Sequence, residues 1–228
     1  MALIEVHNLS KVYGAEGAET AALRGVSFAI DAGEFVAIMG PSGSGKSTLL
    51  HILGLLDRQT SGTYQFDGQA SDAYATDALA RIRNRRMGFV FQAFNLLPRA
   101  TVFDNVGLPL RYSDVPPSEW DARVRVVIER VGLTHRARHT PAQLSGGEQQ
   151  RAAIARALVC DPAVIFADEP TGNLDSASGK NVMAIIGELS RGGGHTIVLI
   201  THDPAVAVHA GRTLHVRDGA LERDERRV

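Results

Sequence analysis

Gly40-Pro-Ser-Gly-Ser-Gly-Lys-Ser-Thr48 follows the apolar run Glu34-Phe-Val-Ala-Ile-Met39 and opens directly into Thr48-Leu-Leu-His-Ile-Leu-Gly-Leu-Leu56. Strand, glycine-rich turn and helix in that order place backbone N–H groups at a positive helix end, where they converge on phosphate oxygens. Gly40, Gly43 and Gly45 give the turn its freedom between Pro41, Ser42 and Ser44. Lys46 brings a point charge to β- and γ-phosphates, and the Ser47 hydroxyl, beside Thr48, is suited to Mg²⁺. The stretch therefore predicts a nucleoside-triphosphate site in an α/β domain.

Two further apolar runs stand downstream, Ala163-Val-Ile-Phe-Ala167 and Thr196-Ile-Val-Leu-Ile200. Runs apolar on both faces, with helical patterns between them, indicate buried parallel strands. Residues 4–9, 26–30 and 62–66 alternate instead, which predicts antiparallel strands at one edge. From about residue 93 to residue 160 the texture turns helical, over 101–110, 118–131 and 147–160, with Pro116, Pro117 and Pro141 as punctuation. The expectation is one domain, 1–228, with a helical subdomain inserted at 93–160. The charged tail, 222–228, is expected to fray.

Hydrophobic residues make up 44% of the 228 and charged residues 21%, as in soluble globular proteins. A formal net charge of -1 provides no overall field toward nucleic acid or an anionic membrane. Arg81, Arg83, Arg85 and Arg86 form a local basic cluster, read as a solvated helix face. Cys160 is the only cysteine, which precludes an internal disulfide, suits a reducing cytosol and reads as a small packed core residue. The opening MALIEVHNLSKVYG alternates and lacks a signal peptide's apolar stretch. No apolar run reaches the roughly 18–20 residues that span a bilayer, so any membrane association needs another anchor.

Asp168-Glu169 closes the run at 163–167. Carboxylates at the end of a buried strand require a cation or donors. Successive strand side chains diverge, so Asp168 would face Mg²⁺ and Glu169 an attacking water, as its base. His202 follows the run at 196–200. If the three apolar strands are parallel, the phosphate loop, the acid pair and His202 share the carboxyl rim where α/β sheets bind ligands. Leu144-Ser-Gly-Gly-Glu-Gln-Gln-Arg151 reads as a capping box, Ser145 with Glu148. The cap leaves Gly146 and Gly147 unexplained, and they suggest a second anion site.

Taken together, 40–48, 144–151 and 164–169 resemble the ATP-binding cassette family of transporter ATPases, and LSGGEQQR is that family's hallmark. The resemblance covers essentially the whole chain. It implies a P-loop NTPase fold with a mainly parallel core sheet, an antiparallel β edge subdomain and a helical insertion. It also implies ATP and Mg²⁺, and an ATP-dependent homodimer in which Ser145, Gly146 and Gly147 serve the other copy's nucleotide. Residue by residue, Tyr13 matches the aromatic that stacks on adenine. Gln92 matches the glutamine that touches Mg²⁺, Asp175 the acid at the dimer interface, and His202 the γ-phosphate contact.

Gly54-Leu-Leu-Asp57, Phe91-Gln-Ala-Phe-Asn-Leu-Leu-Pro98, Pro170-Thr-Gly-Asn-Leu-Asp175 and Thr201-His-Asp-Pro204 are similar to the lipoprotein-release and macrolide-export type, LolD/MacB. That likeness implies a separate transmembrane permease, MacB- or FtsX-like, contacted near Gln92 to Pro98. The ATPase would sit on the cytoplasmic face of the inner membrane and drive export or extraction of lipoprotein, peptide or macrolide-like substrates. FtsE-type regulatory ATPases share much of the pattern, and a soluble non-transport cassette is the remaining alternative.

Overall fold

The computed structural model describes residues 2–14 and 19–227. In chain order the elements are β1 (Ala2–Tyr13), β2 (Thr20–Asp31), β3 (Phe35–Met39), α1 (Lys46–Leu53), β4 (Ser61–Phe66) and β5 (Gln69–Ala70). Next come α2 (Thr76–Arg86), β6 (Met87–Val90), α3 (Val102–Gly107), α4 (Pro117–Arg130), α5 (Gly146–Leu158) and β7 (Val164–Asp168). The chain closes with α6 (Ser176–Gly193), β8 (Thr196–Thr201), α7 (Pro204–Ala207), β9 (Arg212–Arg217) and β10 (Ala220–Arg226). They fall into two compact units, Met1–Ala80 with Gly194–Val228, and Arg81–Gly193.

In the first unit β2, β1, β4 and β5 form an antiparallel sheet in that order. Its alternation is that of the sequence: Val26, Phe28 and Ile30 are buried, with exposed residues between them. β3 lies between β8 and β9, parallel to both, and β10 adds antiparallel to β9. Val36, Ala37 and Ile38 on β3 and Ile197 to Ile200 on β8 are all essentially buried, which is why both runs are continuously apolar.

The second unit pairs β6 with β7 in parallel, Met87 opposite Val164 and Val90 opposite Ala167. Its helices differ in how much they bury: α6 buries one face, and α5 is covered nearly all round over 152–155. On α6 the buried residues Val182, Met183, Ile186 and Leu189 recur at helical spacing. On α5, Ala152, Ala153, Ile154 and Ala155 are buried. Pro117 is the first residue of α4, where its missing N–H costs nothing. Fully buried Asn105 accepts from Leu97 N–H at 2.7 Å and donates to the carbonyls of Leu97, Ala100 and Thr101. It thereby organises the loop ahead of α3.

Three expectations are corrected. The helix after the phosphate loop stops at Leu53; Leu55 takes φ 56, and Leu56 is 48% exposed. Cys160 lies beyond the end of α5 and is only half-buried, and burial pushes its thiol pKa up. The charged tail does not fray over 222–226: it belongs to β10 (Val228 lies outside the described residues). Cross-strand ion pairs explain why a charged segment holds as a strand. Arg212, 6% exposed, donates to both Asp224 oxygens at 2.8 and 2.7 Å, to Ala29 O at 2.7 Å and to Glu34 at 3.1 Å. His215 pairs with Glu225 at 3.1 Å. The Arg212 hydrogen bonds hold the Asp224 carboxyl below its ordinary range. Of the basic cluster on α2, Arg81, Arg85 and Arg86 are exposed and Arg83 is half-buried, and Arg85 pairs with Asp114.

Among the described residues, no helix is long and apolar enough to cross a membrane. Replacing Arg212 by Ala strands Asp224 and Glu34 and should lower unfolding stability by roughly 2–3 kcal/mol. Urea unfolding at neutral pH measures this, and a loss under about 0.5 kcal/mol, ordinary for a surface change, would mean that the tail is not anchored as described.

Candidate functional site

The phosphate loop leaves β3 at Met39, opposite Thr201 of β8. His202 follows Thr201, so the loop and the histidine depart from the same ends of two neighbouring parallel strands. His202 is exposed within a tight turn: Asp203 N–H donates to Thr201 Oγ1 at 3.0 Å, and Asp203 caps α7. Lys46 is 8% exposed, and its ammonium donates to Gly40 O at 2.8 Å and Pro41 O at 2.7 Å. Gly43 has φ 79, and a Cβ there would meet nothing within 4 Å, so backbone conformation alone requires glycine.

Gly45 is the N-cap of α1, and no side chain caps that helix. Ser44 Oγ is buried with no hydrogen-bond partner. An uncapped helix start, a buried orphan hydroxyl and an ammonium fit a polyphosphate. Ser47 is exposed and Thr48 half-buried at the same helix start.

Tyr13 ends β1 and is 42% exposed. Its hydroxyl donates to Asp57 at 2.7 Å, and Lys11 donates to the same carboxylate at 2.8 Å while lying 4.8 Å from the tyrosine ring centre. Burial opposes ionisation of Asp57, but donation from Lys11 and Tyr13 outweighs it and lowers the carboxyl pKa. Asp57 thus fixes the ring of Tyr13, a role that its position in Gly54-Leu-Leu-Asp57 did not announce.

In the second unit, β6 runs into Gln92 and β7 into Asp168-Glu169, again from neighbouring parallel ends. Glu169 has φ 46, a left-handed conformation uncommon for a residue with a Cβ. Gln92 and Asn173 pair through each other: the Gln92 amide donates to Asn173 Oδ1 at 3.3 Å, and the Asn173 amide to Gln92 O at 3.0 Å. Gln150, fully buried on α5, donates to Phe91 O at 3.3 Å and Pro170 O at 2.7 Å, so it ties the two strand exits to one helix. Phe94 and Asn95 are consecutive left-handed residues, φ 59 and 52, and the Arg156 guanidinium donates to both of their carbonyls.

The capping box at the start of α5 is present. Glu148 N–H donates to Ser145 Oγ at 3.3 Å, and Ser145 N–H to Glu148 at 2.8 Å. Arg136 donates to the other Glu148 oxygen at 2.9 Å. Ser145 is exposed, and a hydroxyl that accepts a backbone bond can also donate, to Glu148 or to an anion. Gly147 has a packing reason, because a Cβ there would lie 2.7 Å from Ser178 Oγ; Gly146 meets only ordinary contacts. Asp175 is exposed and accepts from Ala177 N–H, Ser178 N–H and the Ser178 hydroxyl at 3.0, 2.9 and 2.7 Å. It caps its own helix, α6, a signal that an Asp before a helical pattern offers. Those bonds, led by the Ser178 N–H, lower its pKa.

The family model described as ABC transporter matches residues 23–172. The chain is 49% identical over 224 residues to a macrolide export ATP-binding/permease protein, MacB, of Syntrophobacter fumaroxidans, covering 97% of the chain and 31% of that protein. It is 50% identical to the pyoverdine export ATP-binding/permease protein PvdT of Pseudomonas aeruginosa, with 97% and 34% covered. It is also 50% identical to the uncharacterized ABC transporter ATP-binding protein YvrO of Bacillus subtilis, with 98% and 97% covered. The chain thus spans about a third of the MacB and PvdT relatives and nearly all of YvrO. Among solved structures, the ATP-binding cassette MJ0796, dimeric and bound to ADP and Pi, superposes with a TM-score of 0.89 at 42% identity over 98% of both chains. The fold is accordingly the cassette P-loop fold, with a mixed, mainly parallel sheet and an antiparallel sheet beside it.

The Ser145 N–H and then Arg136, against burial, pull the Glu148 carboxyl to about 2 from an ordinary 4.5. A depressed folded value means stability that is complete above about pH 4.5 and is lost as pH falls toward 2. Glu148→Gln removes that dependence. Urea midpoints should show the wild type's advantage over this variant at pH 7 shrinking at pH 3, and a constant gap would contradict the ionised cap.

Proposed function

Because the chain belongs to the ATP-binding cassette family of ABC transporter proteins, we propose that it is the ATP-hydrolysing subunit of a MacB-type export system, working on a transmembrane permease. It is an ABC-type ATPase, converting ATP to ADP and phosphate. The observation that carries the reading is a second anion-ready helix start. α1 opens uncapped under Lys46, and α5 opens with an exposed Ser145 and an unobstructed Gly146. One ATP needs one cradle, so the second serves a nucleotide held by another copy, and the functional unit is an ATP-closed homodimer.

In this reading the loop's N–H groups and Lys46 bind and orient the polyphosphate, and Tyr13, held by Asp57, stacks on the base. Ser47, Gln92 and Asp168 offer hydroxyl, amide and carboxylate oxygens, the donor set that suits Mg²⁺. When bound, that ion would neutralise charge developing on the phosphates. Glu169 takes the proton of the attacking water at its carboxylate, and His202 donates to the γ-phosphate. Asp175 supports the dimer contact while capping α6.

Residues 93–160 are assigned as the helical subdomain of one cassette. The permease contact is assigned to residues 92–98, whose exposed Leu97 and Arg156-held turn support it. Macrolide and pyoverdine export belong to the relatives' names; for this chain the reading is export or extraction of substrates of that broad class, with the ATPase peripheral on the cytoplasmic face.

Glu169→Gln should lower ATP turnover at least ~100-fold, the scale of losing a general base, and accumulate a dimer with ATP on size-exclusion chromatography. Normal turnover would assign the base elsewhere. Ser145→Arg should abolish turnover yet leave ATP binding by the monomer within about twofold, since a fraction of 1 kcal/mol is all a remote change costs. Joint loss of binding and turnover would contradict the action in trans.

A further inference from the structure

The β9–β10 hairpin touches the phosphate loop twice. Gly219 N–H donates to Ser44 O at 3.0 Å, while Gly219 O accepts from Arg24 N–H of β2 at 2.8 Å. A Cβ on Gly40 would lie 2.0 Å from Val216 O of β9. The Ala22 carbonyl of β2 occupies the remaining gap, 2.4 Å from a Cβ built on Gly45 and 2.8 Å from one built on Gly219. Three backbones cross here with no room for a Cβ on any of these glycines.

We propose that the Asp218-Gly219 turn is a positioning element for nucleotide binding, with Gly219 as its positioning residue, setting the direction in which the phosphate loop presents its N–H groups. A trans peptide carries its C=O and its N–H on opposite edges of one plane. Fixing Ser44 O toward the hairpin therefore turns the Gly45 N–H away from it, toward the open side of the loop. The hairpin is itself anchored, by Arg212 gripping Asp224. The inference rests on the nucleotide reading of 40–48 and adds the element that pre-shapes it.

The first unit contains its own control. Asp67-Gly68, between β4 and β5, has φ 53 and 74, and Asp218-Gly219 has φ 49 and 80. Both suit the two-residue hairpin turn that needs positive φ twice. A Cβ at Gly68 meets nothing within 4 Å, whereas one at Gly219 meets Ala22 O. Alanine at either site bears the same φ strain, and only Gly219→Ala displaces the bond to Ser44.

The test is calorimetric titration of the full chain with ADP, alongside thermal unfolding, for wild type, Gly68→Ala and Gly219→Ala. Both variants should melt a few degrees lower. Gly68→Ala should bind ADP as wild type does, and Gly219→Ala should bind roughly fivefold or more weakly, the scale of one lost hydrogen bond. Unchanged affinity in Gly219→Ala, or equal weakening in Gly68→Ala, overturns the role of the turn alone. A wild-type chain that does not bind ADP overturns the nucleotide reading and the turn's role with it. Should Gly219→Ala not fold, amide exchange on the unaltered chain decides: ADP should slow the Gly219 N–H together with the loop, and slowing of the loop alone overturns the proposal.

Discussion

The parallel register of β3, with Met39 opposite Thr201 of β8 and His215 of β9, fixes where chemistry begins in the first unit. Strands in register end together, so a loop leaving one and a histidine leaving the next are neighbours without any side chain arranging it. The cost is a rim where backbone polarity is exposed and a lysine is nearly buried. Lys46 resolves part of that cost by bonding the carbonyls of Gly40 and Pro41, which also folds the loop over the helix start. Glycines at 40 and 45 follow from crowding by neighbouring backbones, and the one at 43 from φ.

A second rim repeats the logic with different tools. β6 and β7 end beside each other, and the exits carry Gln92, Asp168 and Glu169. Here buried side-chain amides do the holding: Gln150 reaches both exits, and Asn105 closes the following loop. Arg156 extends the same helix to the left-handed pair Phe94-Asn95. α5 therefore carries, along one rod, the capped glycine start, the tie between strand exits and the grip on residues proposed to meet a permease.

Much of this was legible because burial on both faces leaves a plain mark. The three apolar runs became β3, β7 and β8 within a residue or two, and Ser145-x-x-Glu148 became the capping box at the start of α5. The missed features depend on partners distant in sequence. β10 is charged from Glu222 to Arg226 and holds because Arg212 and His215 face it across a hairpin, which no local pattern displays. Glu169's positive φ is set by its surroundings and not by its own residue type. Gly147 was read as an anion donor, and the structure gives it a packing reason against Ser178. Asp175 was read only as an interface acid, although Asp before a helix is also a cap.

The central claim is that two helix starts of one chain serve two different nucleotides. A crystal structure of the Glu169→Gln protein loaded with ATP tests it most directly. The account predicts a two-fold dimer in which the Ser145 hydroxyl of one copy lies within hydrogen-bond distance of the γ-phosphate cradled by Lys46 of the other. An ATP-loaded pair with Ser145 turned to solvent, far from any phosphate, would contradict it.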